Sequence, residues 1–287
     1  MRVPAKINLT LEILARRADG YHALRSVMVP IALYDELTLA ASERFSFICE
    51  PAALTADNLV VRALALIERD TAPITVHLRK AIPVGAGLGG GSSDAAAVLL
   101  AAMRGAFGAA GERDWIALAR SLGSDVPFFL VESGALVEGT GERVTALGAL
   151  PPWWVVIAIP PIAVPTSDAY RALAAARELT PPPSRPRSES ASLRVLEAVQ
   201  RGDFAAVCAH ACNDFEPIVT ALAPRILADL QALRTAGAPL ALLSGSGSCS
   251  FALCANEADA QRVRSAIAVP QGTQIVSVPF AQATAWQ

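Results

Sequence analysis

The sequence predicts an α+β protein organised as two domains. Three observations carry that expectation. A chain of 287 residues buries its apolar surface more naturally around two cores than one. Strand-like and helix-like runs mix without a sustained βαβ rhythm, which disfavours a doubly wound parallel sheet. A proline-marked change near Pro151 separates a first set of elements from a second. The expected division is residues 1–150 and residues 151–287.

The first element is the most regular. Val3, Ala5, Ile7, Leu9, Leu11 and Ile13 alternate with Pro4, Lys6, Asn8, Thr10 and Glu12, the period of a half-buried strand. A second strand is expected over 32–39, then a helix over 58–68 with Asp57 placed to cap it. Residues 74–78 read as a strand leading into a glycine run, 95–103 as a strong helix, and 113–122 as a helix stopped at Gly123. In the second half, strands are expected over 155–159, 240–243, 251–254 and 274–278. Helices are expected over 168–176, 193–200, 204–211, 225–235 and 257–266. The Pro/Arg-rich segment 180–192 is a loop by composition, and no internal repeat is present.

Composition removes several function classes. Hydrophobic residues make up 53% of the chain and the mean hydropathy is +0.41, so a membrane span has to be considered. The longest uncharged run, between Arg143 and Asp168, is interrupted by five prolines, which a continuous spanning helix tolerates poorly. Its apolar centre, WWVVIAI, reads instead as a buried strand, and no membrane association is expected. No basic region precedes an apolar stretch at the N-terminus, so no secretory signal is expected. A net charge of −2 argues against a nucleic-acid surface. Five cysteines without framework spacing point to free thiols in a reducing, cytoplasmic setting. Cys208, His210 and Cys212 lie close in sequence, but His210 would leave the helix face the cysteines share and no second ligand pair accompanies them, so ordinary packing is expected rather than a metal site.

The most informative stretch is IPVGAGLGGGSSDAAAVLL. Five of the seven residues from 85 to 91 are glycine, in a chain with 19 glycines. Each costs roughly 0.5–1 kcal/mol in ordering entropy relative to alanine, so something must approach this backbone closely. Ser92, Ser93 and Asp94 then open a helix, and a helix N-terminus presents unpaired N–H groups to an anion. No lysine follows the glycines, which removes a Walker A loop. Gly85, Gly87 and Gly90 satisfy G-x-G-x-x-G, but Glu112 and Asp114 open a helix instead of closing a second strand, which disfavours a dinucleotide-binding unit.

PVGAGLGGGSSDAA closely resembles the ATP-binding motif of the GHMP kinases, the small-molecule kinases of homoserine, mevalonate, galactose and their relatives. PAKINLTL, DGYHALRSVM, GSDVPFF, PTSDAY, NDFEP and LSGSGSCSFAL follow the family's order over nearly the whole chain. Together they resemble the branch that phosphorylates a cytidine-diphosphate-bearing methylerythritol on the non-mevalonate route to isoprenoid precursors. The resemblance implies a two-domain GHMP kinase fold with a ferredoxin-like C-terminal domain, ATP and Mg2+ as cofactors, and a substrate cleft between the domains. Monomer and homodimer both remain open. Homoserine- or mevalonate-type kinases are the nearest alternatives, and a non-catalytic nucleotide-binding protein is the alternative from another class.

The resemblance also distributes roles. The ATP cradle is Pro83, Val84, Gly85, Ala86, Gly87, Leu88, Gly89, Gly90, Gly91, Ser92 and Ser93; whether the two serines cap the helix, bind phosphate or reach magnesium stays open. Phosphoryl transfer also needs charge neutralisation and an acceptor for the hydroxyl proton. Lys6 is one of only two lysines among 24 basic residues and falls on the family's catalytic lysine. Asn8, about 6.7 Å further along the same strand face, can bond the substrate polyol. Asp125 falls on the family's catalytic aspartate, although a turn or N-cap aspartate is the plainer reading of its neighbourhood. Tyr21 and Tyr170 would flank the cytosine, His22 its edge, and Thr166 the substrate's phosphates or polyol. Asn213 and Asp214 stay open between helix cap and ligand contact. The turn 244–248 is expected against the phosphate loop.

Overall fold

The structure, a computed structural model, describes residues 1–16, 22–67, 72–106, 108, 112–179 and 189–282. In the first half these form β1 (Arg2–Asn8), β2 (Thr10–Arg16), β3 (His22–Ala41), β4 (Ser46–Glu50), α1 (Leu59–Ile67), β5 (Ile74–Arg79) and α2 (Gly90–Met103). Then come α3 (Trp115–Leu122), α4 (Val126–Phe129), β6 (Gly134–Gly139) and β7 (Arg143–Gly148). The second half contributes β8 (Trp154–Ile159), α5 (Thr166–Leu179), α6 (Ala191–Arg201), α7 (Phe204–His210), β9 (Cys212–Asn213) and α8 (Glu216–Leu222). It closes with α9 (Pro224–Thr235), β10 (Leu240–Leu243), β11 (Ser250–Cys254), α10 (Glu257–Ala266) and β12 (Gln274–Pro279).

Two sheets organise these elements, as the α+β expectation requires. The larger has eight strands around β3, which pairs with β1, β2, β5 and β6. The smaller has the order β10-β11-β8-β12 with every pairing antiparallel. Its strands enter in the chain sequence strand, helices, two strands, helix, strand, which is the ferredoxin-like arrangement.

The chain packs in layers around these sheets. Val60 and Ala63 of α1, Ala95 and Leu99 of α2, and Phe128 and Phe129 of α4 pack on Val76 and Leu78 of β5. Most of α2 is buried on all sides, which suits a helix whose small alanines let neighbours come close. The two sheets share a core: Ala5 and Ile7 of β1 pack with Val155 and Ile157 of β8 and Phe251 of β11. The opposite face of β8, Val156 and Ala158, packs on Ile226, Leu230 and Val263 of α9 and α10. The uninterrupted apolar run of β8 therefore reflects burial on both faces. Among the described residues no helix is long and apolar enough to cross a membrane.

Four expectations need correcting. The N-terminal strand is two strands bent at Leu9, and its polar face is buried as well: Lys6, Asn8, Thr10 and Glu12 are all at most 8% exposed. The expected strand at 32–39 is the end of the 20-residue β3. Asn58, and not Asp57, caps α1, its Oδ1 accepting the Val60 N–H at 3.0 Å, while Asp57 sits at φ 54° in the preceding turn. Helix α2 begins within the glycines, at Gly90. The C-terminal elements that the sequence predicts lie within about three residues of their expected bounds, while β9 (Cys212–Asn213) and α8 (Glu216–Leu222) were not expected; most of the 180–192 segment lies outside the described residues.

Candidate active site

The glycine run joins β5 to α2, and its backbone is aimed by what holds its carbonyls. The Ala86 carbonyl accepts the Cys249 N–H at 3.1 Å, the Leu88 carbonyl the Lys6 N–H at 2.9 Å, and the Gly87 carbonyl the Ser244 hydroxyl at 3.0 Å. In a trans peptide the following N–H points opposite to its carbonyl. The N–H groups of Gly87, Leu88 and Gly89 are thereby turned away from those donors, in a loop that runs into the N-terminus of α2 and its positive dipole end. Two glycines are required by the space. A Cβ on Gly87 would lie 2.1 Å from the Ser244 carbonyl oxygen, and one on Gly89 2.9 Å from Lys6 Cγ; both residues have positive φ, +77° and +71°. The close approach inferred from the sequence is at Gly87 an approach by the chain's own second glycine–serine turn.

Lys6 reaches the loop from below. Its ammonium donates to Asn8 Oδ1 at 2.8 Å and lies 3.3 Å from Asp125 Oδ2. Asn8 Nδ2 donates to Ser26 Oγ at 2.8 Å, which donates to the Thr10 carbonyl at 2.5 Å. The lysine is thus held by a chain of bonds running from β1 to β3. Its side chain is 4% exposed against 35% for Asp125, so the carboxylate faces the cavity and the ammonium supports it from the protein side. Asp125 occupies the N-cap position of α4 without a capping bond from its side chain, which leaves that side chain available. The loop carrying it is braced from β6–β7: a Cβ on Gly141 would lie 2.1 Å from the Ser124 carbonyl oxygen.

A second charged group lies under the loop, made of Asp35, Lys80 and Asp94, with side chains 0%, 6% and 1% exposed. Lys80 Nζ bonds both carboxylates, Asp94 at 2.7 Å. Burial lowers the Lys80 pKa, but Asp94 and Asp35 outweigh it and the net direction is upward. Burial pushes the Asp94 carboxyl up to about 7 against the pull of Lys80, with the charge of Asp35 adding to the rise. No local sequence pattern marks this group, because the partners of Lys80 lie 45 and 14 residues away.

The second half supplies the opposite wall. The Thr166 and Ser246 hydroxyls share a hydrogen bond of 2.8 Å. Tyr170 stacks with His22 at a centroid separation of 5.9 Å and meets Phe215 edge-on at 4.8 Å. Burial and the nearby Asp125 charge push the Tyr170 phenol up to about 12, so it stays a neutral hydroxyl. Asn213 proves to be a turn-holding residue: Nδ2 donates to the Leu243 and Gly245 carbonyls at 2.8 Å each, and Oδ1 accepts the Phe215 N–H at 2.9 Å. Asp214 Oδ2 accepts the Ile13 N–H at 2.8 Å and Arg177 Nη2 at 2.9 Å.

Most of these groups border one cavity of about 600 Å³, Lys80 and Asp94 among them, while Asp35, Asn213 and Asp214 are not part of its lining; the volume is within the usual range for a ligand cleft. Lys6, Asn8, Asp125, Thr166 and Tyr170 line it, as do Pro83, Val84, Ala86, Ser92 and the glycines of the loop. Leu88 and Ser93 instead turn their side chains into the core, 1% and 0% exposed. His22 adjoins the cavity through Tyr170, and Tyr21 lies outside the described residues. Ser26 and Phe215 also line it; both lie inside motifs legible in the sequence, DGYHALRSVM and NDFEP, without having been singled out.

Comparison with known proteins bears on this arrangement. The family of GHMP kinases N terminal domains matches residues 58–133, and that of GHMP kinases C terminal domains matches residues 195–269. A 4-diphosphocytidyl-2-C-methyl-D-erythritol kinase of Symbiobacterium thermophilum is 41% identical over 249 residues, covering 85% of this chain and 86% of its own. The enzyme of the same name from Heliobacterium modesticaldum is 39% identical over 97% of this chain and 93% of its own. Among solved structures, a 4-(cytidine 5'-diphospho)-2C-methyl-D-erythritol kinase superposes with a TM-score of 0.78 at 35% identity, covering 98% of both chains.

Proposed function

Because the chain belongs to the 4-diphosphocytidyl-2-C-methyl-D-erythritol kinase family of the GHMP kinases, we propose that it transfers the terminal phosphoryl group of ATP to the 2-hydroxyl of that cytidylated alcohol. The product enters the non-mevalonate route to isoprenoid precursors. The observation that carries the reading is the Lys6–Asp125 pair, 3.3 Å apart, set in the same cavity as a glycine loop that runs into the N-terminus of α2.

Each step follows from a named group. The N–H groups of the loop and the α2 dipole cradle the triphosphate. The acceptor hydroxyl lies between Asp125 and the terminal phosphorus, and Asp125 takes its proton. A carboxylate is a weak base toward an alcohol, so transfer is late and orientation supplies much of the acceleration. Lys6, desolvated and held by Asn8, stabilises the charge growing on the acceptor and phosphoryl oxygens. Magnesium, when bound with ATP, neutralises charge on the phosphates. Ser92 lines the cavity at the start of α2 and carries an oxygen donor of the hard kind this ion takes; it is the residue of the loop that would help to hold it. Tyr170, with Tyr21 and His22, stacks on and edges the cytosine, and Thr166, oriented by Ser246, meets the phosphates or polyol. The reaction takes place in the cytoplasm, and both proposed domains serve it: 1–150 supplies the donor loop, the chemistry and Tyr21 and His22, and 151–287 supplies Thr166 and Tyr170.

The test is ADP release measured against the cytidylated alcohol, homoserine and mevalonate. Turnover confined to the first supports the assignment; turnover confined to either of the others removes the substrate assignment and leaves the kinase.

A further inference from the structure

The Asp35–Lys80–Asp94 group lies outside the chemistry above, yet it spans the loop that chemistry depends on. Lys80 is the residue after β5 and Asp94 is in the second turn of α2, so the whole phosphate loop is strung between them. The 2.7 Å bond from Lys80 Nζ to Asp94 Oδ2 ties its two ends together. Asp35, on the central strand β3, holds the entry: Oδ1 accepts the N–H groups of Ala81 and Ile82 at 2.6 and 2.8 Å, and Oδ2 accepts from Lys80. The fit is close, since a Cβ on Gly90 would lie 3.1 Å from Lys80 Nζ and 2.8 Å from Ile82 Cγ2.

Stability alone is a poor reason for this group. Three buried ionisable groups lose their hydration, and apolar replacements of such clusters are often neutral or stabilising. Asp94 Oδ1 has no hydrogen-bond partner among the described residues, so the cluster is not saturated as a purely structural network would be. What it does fix is geometry: the separation between the end of β5 and the N-terminus of α2, and hence the path of the glycine loop between them.

We propose that Asp35, Lys80 and Asp94 are positioning residues for the nucleotide, a buried clasp that closes the phosphate loop and sets its N–H groups for the triphosphate. The inference rests on the reading that this loop holds ATP. Without the clasp, the loop samples wider geometries and the triphosphate pays to order it, which weakens ATP binding selectively.

Lys80→Met is the obvious variant, but it strands the Asp35 charge in the core. Asp94→Ala and Asp94→Asn avoid this, because Lys80 keeps Asp35, alanine favours the helix, and the asparagine amide oxygen still accepts from Lys80. Dissociation constants of a non-hydrolysable ATP analogue are measured for the wild-type chain and both variants, together with steady-state constants for ATP and the alcohol. The clasp predicts analogue binding and the KM for ATP weakened about tenfold or more in Asp94→Ala, the KM for the alcohol within about twofold, and substantial recovery in Asp94→Asn. Wild-type nucleotide affinity in Asp94→Ala overturns it. So does an equal loss in both variants, or a loss shared equally by the two substrates. Failure of Asp94→Ala alone to fold, with Asp94→Asn folded, also counts against it, because the cluster would then serve stability. A wild-type chain that binds no ATP analogue would instead remove the nucleotide reading itself.

Discussion

Replacing Gly87 by alanine separates two turns that the fold holds in contact. The new Cβ would stand 2.1 Å from the Ser244 carbonyl oxygen, where an ordinary contact begins at 3.4 Å, so the turns must part by about 1.3 Å. The residue also sits at φ +77°, which costs a non-glycine residue roughly 1–2 kcal/mol. A shift of that size carries the Gly87, Leu88 and Gly89 N–H groups with it, and a misplacement of about 1 Å in a positioning element costs about 10²-fold in rate. The expected result is a kcat/KM for ATP lowered by about two orders of magnitude, with a melting temperature a few degrees below wild type. Gly91→Ala is the control for stability. Its Cβ meets nothing closer than 3.8 Å, at Leu59 Cδ1, and it lies inside α2, so its melting temperature stays level or rises. Steady-state kinetics with varied ATP and thermal melts of both variants read these effects. A Gly87→Ala chain with wild-type kcat/KM and melting temperature would refute the reasoning.

Other perturbations address separate parts of the molecule. Burial opposes ionisation of Glu12, but bonds from the Ser190 hydroxyl and from the Ser192 and Ala191 N–H groups outweigh it and hold the carboxyl below its ordinary range. A depressed carboxylate stabilises the fold above its unfolded pKa and loses that contribution as pH falls through the folded value. Glu12→Gln should therefore melt below wild type at pH 7, with the gap closing below about pH 4; a gap independent of pH contradicts the cap. Tyr170→Phe keeps the ring contacts with His22 and Phe215 and should leave both KM values within about twofold. Tyr170→Ala should raise the KM for the alcohol about tenfold, one stacking contact of this kind being worth roughly 1 kcal/mol or more, and leave that for ATP unchanged. Equal KM shifts for the two substrates would place Tyr170 elsewhere than the acceptor wall.

Much of the fold was legible because several segments carry a pattern with one solution. The apolar run of β8 and the capped periodicity of α10 (Glu257–Ala266) lie close to where the sequence places them. Strands β6 and β7 were not legible: GALVEG and RVTALG are short and glycine-flanked, and pairing with β3 and with each other makes them strands. Alternation at β1 correctly marks a strand and wrongly implies a solvated polar face. Lys6, Asn8 and Glu12 are buried because the site and the start of α6 cover them. Within the site, the glycine loop was visible from entropy and helix-start chemistry alone. Lys6 and Asp125 were visible only through resemblance, since nothing local distinguishes Asp125 from a turn residue. The Asp35–Lys80–Asp94 group was invisible, being assembled from β3, the end of β5 and α2.

The central claim is that Asp125 receives the acceptor proton beside Lys6. Single-turnover phosphoryl transfer from ATP to the cytidylated alcohol, with both substrates saturating, compares the wild-type chain with Asp125→Asn. The amide keeps the shape and removes the base, so the account predicts transfer slowed by about 10²–10⁴-fold, with both substrates bound as in the wild type. Transfer at the wild-type rate in a fully bound Asp125→Asn enzyme would contradict it.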